Sequence, residues 1–212
     1  MDQRSPGSYR LSIRGSSLRS PFGVRNVKVY YDGIPYTDPG GNTYLNQLGF
    51  YNFQSVEIIK GPASSLYGAG NGGVLLIRND AEPFQPGASL SYNAGSYNLS
   101  NLNANIRLGS ENQHSIINYQ HLTSDGYRDH TAMRRDVLTW DAGIKTTKSQ
   151  ELQAHFLFGD LYYQTPGALT QSEYEEDPRS ARPVTTASPG ANQARAAIYH
   201  KAFQAGFSYE TK

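Results

Sequence analysis

Apolar and polar residues alternate along most of the chain after residue 88. The period of two recurs in several stretches: residues 90–94, 101–108, 137–145, 152–158, 203–209 and, ambiguously, 117–119. Successive side chains of a strand point to opposite faces, so each stretch predicts a strand with one apolar face. The pattern as a whole predicts an antiparallel sheet of about six long strands.

The connections between these predicted strands alternate in length. Residues 109–112 and 147–150 make tight turns, whereas 125–133 and 165–194 are longer and polar. Short turns at one end and long loops at the other are typical of an outer-membrane barrel. Residues 95–98 are the exception, because they are short where a long loop is expected. A soluble sandwich is the alternative, but strands of about 10–14 residues are long for one.

The first part of the chain has a different pattern. Short strands are predicted at 9–14, 26–31, 56–60 and 74–78, and short helices at 43–51 and 62–66. Residues 80–87 contain Pro83 and Pro86 and indicate a boundary. We therefore expect an α+β domain over residues 1–85 and antiparallel β-barrel strands over 86–212.

Composition excludes several classes of protein. The net charge of +1 gives no reason to expect nucleic acid as a partner. No run approaches the roughly 18 apolar residues of a spanning helix, and the absence of cysteine rules out disulfides. The 16 tyrosines against one tryptophan fit a β-rich protein with amphipathic surfaces.

Motifs for catalysis or cofactor binding are weak. No Ser/His/Asp group can be assembled, so we expect no enzyme, and the five histidines lack metal-ligand spacing, so we expect no metal and no cofactor. Residues 68–73 satisfy G-x-G-x-x-G, but a strand follows them where a dinucleotide site needs a helix. The glycines fit a tight turn instead.

Five motifs in order carry a resemblance to a known family. They are residues 13–15 (IRG), 29–35 (VYYDGIP), 56–62 (VEIIKGP), 63–68 (ASSLYG) and 72–77 (GGVLLI). With them, residues 9–80 resemble the plug of the TonB-dependent outer-membrane receptors. The resemblance implies an α+β plug followed by transmembrane β-barrel strands, here about six of an expected 22 or so. It also places the protein in the outer membrane of a Gram-negative bacterium, among its lipid.

The resemblance implies active transport powered through TonB. The segment that would bind TonB does not precede the plug motifs, and no signal peptide is visible. We therefore expect the chain to be incomplete at both ends. Residues 60–64 (KGPAS) resemble the iron and cobalamin receptors, and we expect a ferric siderophore or similar iron chelate as cargo. Cobalamin and haem stay open, and a soluble carbohydrate-binding module is the alternative from another class.

The resemblance also suggests which residues function. In this family the ligand lies between the plug's apical loops and the extracellular loops, and arginine and tyrosine suit an anionic, partly aromatic chelate. The predicted ligand-binding residues are Arg19, Arg25, Tyr36, Tyr44, Arg128 and Arg134. The predicted plug-locking charges, which would pair with each other or with the barrel wall, are Arg14, Glu57, Lys60 and Arg78. Lys60 stands where the family usually has arginine.

Overall fold

The computed structural model describes residues 2–5, 8–15, 24, 26–49, 53–62, 64–68, 70, 72–79, 84–147 and 149–211. Within them are two main β-sheets, which we call the small sheet and the large sheet. Among the described residues, no helix is long and apolar enough to cross a membrane.

The described residues of the first part of the chain form eight elements. They are β1 (Asp2–Ser5), β2 (Ser8–Arg10), β3 (Val27–Tyr31), β4 (Ile34–Pro35), a 3₁₀ turn (Leu45–Gln47), β5 (Ser55–Lys60), α1 (Ser64–Tyr67) and β6 (Gly73–Arg78). The small sheet has the order β4-β3-β6-β5, with β3 and β6 parallel and the other pairs antiparallel. Strands β1 and β2 form a separate antiparallel pair.

The helix expected over residues 43–51 was predicted too long. Among the described residues of this range, 43–49, only Leu45–Gln47 is helical, and Leu48 already has extended backbone dihedral angles. Tyr44 before the turn makes no side-chain cap, so the turn lacks the stabilisation that an N-cap residue gives a helix. The first predicted strand is also shorter than expected, because β2 ends at Arg10.

The rest of the chain forms the large sheet. Its elements are β7 (Gly87–Gly95), β8 (Leu99–Gly109), β9 (Gln113–Ser124), β10 (Met133–Thr147), β11 (Gln150–Gln164), α2 (Gln171–Glu176), α3 (Gly190–Ala194) and β12 (Ala197–Thr211). The six strands pair antiparallel in sequence order, which is the predicted antiparallel meander. The break between the sheets falls between Arg78 and Gly87. The division at residue 85 stays a prediction.

The large sheet has two unlike faces. Its outer face carries exposed apolar side chains, including Leu138 at 37%, Trp140 at 44% and Phe203 at 68% exposure. On its inner face Asn118, Gln120 and other polar residues are buried. The alternation read in the sequence is therefore present, and among the described residues no second sheet covers the apolar stripe.

The small sheet packs against the inner face of the large sheet. The core cluster contains Val27, Val29 and Tyr31 of β3 together with Leu157 of β11. Gly206 of β12 faces Ile34, and a Cβ atom there would collide with the isoleucine side chain. Glycine at this position therefore lets β4 approach the large sheet closely.

Candidate functional site

We call the end of the large sheet that carries the long connections, residues 125–132 and 165–196, the loop end. The 3₁₀ turn lies against the large sheet there. The Tyr36 hydroxyl donates to the carbonyl of Tyr44 at 3.1 Å and to Gln47 Oε1 at 3.4 Å. The Tyr44 ring lies 5.1 Å from the His200 ring, and Gln47 Nε2 lies 3.3 Å from His200 Nε2. Two predicted ligand residues, Tyr36 and Tyr44, are therefore adjacent.

The two tyrosines differ in how they could serve a ligand. Tyr44 is 45% exposed, so its ring is available for contact. Burial raises the pKa of the Tyr36 phenol well above its ordinary value, against an opposing effect of the Arg135 charge. Tyr36 therefore stays a neutral hydrogen-bonding group at physiological pH, whereas Tyr44 offers aromatic surface.

Arg135 supplies a buried positive charge beneath this contact. It is 2% exposed, and its guanidinium donates to the Asn46 carbonyl at 3.3 Å and to Gln120 Oε1 at 3.3 Å. Gln120 in turn donates to Asn101 Oδ1 at 2.9 Å. This network ties the 3₁₀ turn to three strands of the large sheet. The residue predicted from the sequence to bind the ligand is the neighbouring Arg134.

Arg134 lies on the opposite face of the large sheet from Tyr36 and Tyr44. Its guanidinium pairs with Asp160 at 3.3 Å and with Asp136 at 3.7 Å. In β10 it has the same parity as Leu138 and Trp140, which are exposed on the outer face. The structure therefore does not bring Arg134 together with the tyrosines.

Arg128 holds the long loops together. Its guanidinium donates to the carbonyls of Ser180 at 2.9 Å and Gly167 at 3.0 Å, both in the connection between β11 and β12. Nearby, the Tyr97 and Tyr127 rings pack edge-on at 5.6 Å, and Arg179 lies within 6 Å of both. Three loops thus share one set of contacts. The other predicted arginines, Arg19 and Arg25, lie outside the described residues.

The four predicted plug-locking charges are all exposed. Within the part of the chain that the structure describes, none of them has an oppositely charged partner within 4 Å. Glu57 and Lys60 lie on β5, which is an edge strand of the small sheet. The locking role of Arg14, Glu57, Lys60 and Arg78 stays a prediction.

A second polar contact joins the sheets further from the loops. Asn79 donates its backbone N–H to Asp32 Oδ1 and its side-chain amide to Asp141 Oδ2, both at 2.8 Å. Asp141 also bonds to Nδ1 of His155. Burial, then the charges of Asp141 and Asp32, raise the pKa of Tyr31, whose ring lies 4.5 Å from that of His155. Sequence reasoning missed this cluster, because its members are far apart in the chain.

Comparisons with known proteins identify a matching family model and several structures with a similar fold. Residues 1–75 match the family model described as TonB-dependent Receptor Plug Domain. The ferric citrate transporter FecA covers 99% of this chain at 19% identity with a TM-score of 0.68, and the chain covers 34% of it. The copper transporter OprC covers 69% at 19% identity with a TM-score of 0.58, and the chain covers 24% of it.

A third solved structure is BauA, the ferric preacinetobactin receptor from Acinetobacter baumannii. It covers 77% of this chain at 15% identity with a TM-score of 0.56, and the chain covers 26% of it. The chain therefore spans between about a quarter and a third of these structures. Together the matches confirm the predicted fold class.

Proposed function

We propose that this chain is part of a TonB-dependent receptor and that it imports a ferric siderophore or a similar iron chelate across the outer membrane of a Gram-negative bacterium. One observation carries the proposal. The small sheet packs on the polar inner face of the large sheet, whose outer face is apolar and uncovered within the described residues. A sheet with these two faces suits a barrel wall between lipid and a polar lumen.

The alternative of a soluble binding module is less well supported. It requires the outer apolar residues to be covered by another layer of protein. Leu138, Trp140 and Phe158 are instead exposed between 36% and 44%. Phe156 on the same face packs edge-on against Phe203 of the neighbouring strand, which belongs to the same sheet. A transporter uses this surface, since hydrocarbon chains can contact it. Members of this family are transporters, and we propose no catalysis.

The choice of an iron chelate rests on the motif at residues 60–64 and on relatives. FecA is named a ferric citrate transporter and BauA a ferric preacinetobactin receptor. OprC, with the same fold, is named a copper transporter. The fold alone thus accommodates different cargoes, and the KGPAS motif supports iron chelates or cobalamin. Energy for release into the periplasm would come through TonB.

For the ligand site we propose the loop end of the plug–wall contact. The exposed Tyr44 ring would contact the chelate, with the Tyr36 hydroxyl and the buried Arg135 charge behind it. Arg128 would serve indirectly by holding the loops that close over this surface. Arg19 and Arg25 keep their predicted ligand-binding role in this proposal.

Uptake of radioactive iron by a deletion strain tests the function. We expect the strain to lose uptake from at least one ferric chelate, in a TonB-dependent manner, and the full-length gene to restore it. Tyr44→Ala should raise the half-saturating chelate concentration, whereas Tyr209→Ala, an exposed tyrosine near the far end of β12, should not. Loss of cobalamin use with unaffected uptake of every iron chelate would overturn the choice of cargo.

A further inference from the structure

We propose that Asp32, Asp141 and His155 form a divalent-cation site that joins the plug to the barrel wall. Asp32 follows β3 in the plug, and Asp141 and His155 lie on β10 and β11. One potential ligand atom from each residue lies within 4.8 Å of the other two. The proposal does not depend on which cargo the receptor carries, because the cluster lies away from the loop-end tyrosines.

His155 provides the decisive observation. Its Nδ1 bonds to the carboxylate of Asp141, which can only accept, so Nδ1 carries the proton. In the neutral ring Nε2 then holds a lone pair. His155 is only 4% exposed, and Nε2 is buried with no hydrogen-bond partner among the described residues. A buried lone pair in this state lacks the compensation that a hydrogen bond or a metal ion supplies.

The surroundings favour a cation. The three residues line a cavity of about 260 Å³ whose lining also includes Glu151, Glu210 and Arg78. Within the described part of the chain, Arg78 has no carboxylate within 4 Å. Four carboxylates against one guanidinium make the cavity attractive to a positive ion.

The donor set fits zinc or a similar first-row ion. Zinc binds imidazole nitrogen and carboxylate oxygen at about 2.0–2.2 Å, which puts tetrahedral donor atoms about 3.4 Å apart. Nε2 of His155 and a carboxylate oxygen of Asp32 would be the two protein donors. Asp141 accepts from Nδ1, on the side of the ring away from Nε2, so it would orient the histidine, as carboxylates commonly do for zinc-bound histidines, and would not bind the same ion itself. Water, or a carboxylate of Glu151 or Glu210 in the same cavity, would complete the coordination.

Zinc binding to the full-length receptor tests the proposal. Receptor purified in detergent would be treated with a chelator, dialysed, and titrated with Zn²⁺ by calorimetry. We expect one Zn²⁺ ion to bind tightly to each receptor, and we expect His155→Gln and Asp32→Asn each to weaken its affinity by about tenfold or more. His114→Gln is the matched control, because His114 lines the same cavity without belonging to the cluster. It should leave the affinity unchanged.

A second measurement separates binding at this site from binding elsewhere. Co²⁺ bound to the cluster should give visible absorption bands that are lost in His155→Gln and kept in His114→Gln. Zn²⁺ should also slow hydrogen exchange at the Asn79 amide, which donates to Asp32. If His155→Gln fails to fold, the Zn²⁺ affinity of Asp32→Asn, a substitution on a turn of the plug, decides whether the cluster binds the ion. Equal Zn²⁺ affinity in the wild type and in the folded cluster variants, or the absence of a tightly bound Zn²⁺ ion in the wild type, would overturn the proposal. Iron uptake tests the transport function separately.

Discussion

Leu157→Ala should loosen the plug from the barrel wall. Leu157 is fully buried and is the residue through which β11 enters the core formed by Val29, Leu48 and their neighbours. Truncating a buried leucine costs about 2–5 kcal/mol, and the cost is greatest where the surroundings cannot collapse. Strand β11 is hydrogen-bonded on both sides, by β10 and β12, so collapse is restricted. We therefore expect about 3 kcal/mol.

Hydrogen exchange of the full-length receptor in detergent measures this loss. A cost of about 3 kcal/mol corresponds to roughly 150-fold faster exchange, where exchange follows the opening equilibrium. The change should appear at the amides of β3, which contributes most to the shared core. The matched control is Leu152→Ala on the same strand, because Leu152 is 43% exposed on the outer face. Equal exchange rates in β3 for the two variants would refute the reasoning.

Three further predictions concern single positions. Gly73→Ala should prevent normal plug folding, seen as protease sensitivity of the small sheet, because φ is +141° and a Cβ atom would overlap the Ile59 carbonyl; resistance equal to wild type would contradict this. Leu138→Arg should cost about 2–4 kcal/mol if the residue lies near the bilayer midplane, seen as reduced folding into lipid vesicles, and undiminished folding would count against a lipid-facing position. The Asn42 backbone N–H donates to Asp38 and lowers the pKa of its carboxyl group. Protection of the Asn42 amide from hydrogen exchange should therefore persist at neutral pH and be lost as the pH falls through that lowered pKa. In Asp38→Asn the protection should no longer depend on pH in this range.

The strands and their faces could be predicted because period two is a local property of the sequence. Leu138 and Trp140 were assigned to the apolar face, and both are exposed on the outer face. The same parity also places Arg134 on that face and Arg135 on the inner one. The sequence therefore held the information that distinguishes the two arginines, and extending the alternation four residues toward the loop would have found it.

The polar contacts between plug and wall could not be predicted in the same way. Asn79 meets Asp141, 62 residues later in the chain, only because the inner face of β10 lies against the end of β6. His155 reaches Asp141 through the register of β10 and β11, which pairs these two residues directly. Such contacts depend on strand register and on the docking of one sheet on another, and neither is encoded in a local pattern.

The contacts of Arg128 have a consequence for engineering the surface loops. Its guanidinium grips two points of the connection between β11 and β12, and the Asp129 amide donates to the Arg179 carbonyl in that same connection. Transplanting a single loop from a relative would remove acceptors that its neighbours need. Exchange of cargo preference or of antibody epitopes therefore calls for moving residues 95–99, 125–132 and 165–196 as one cassette.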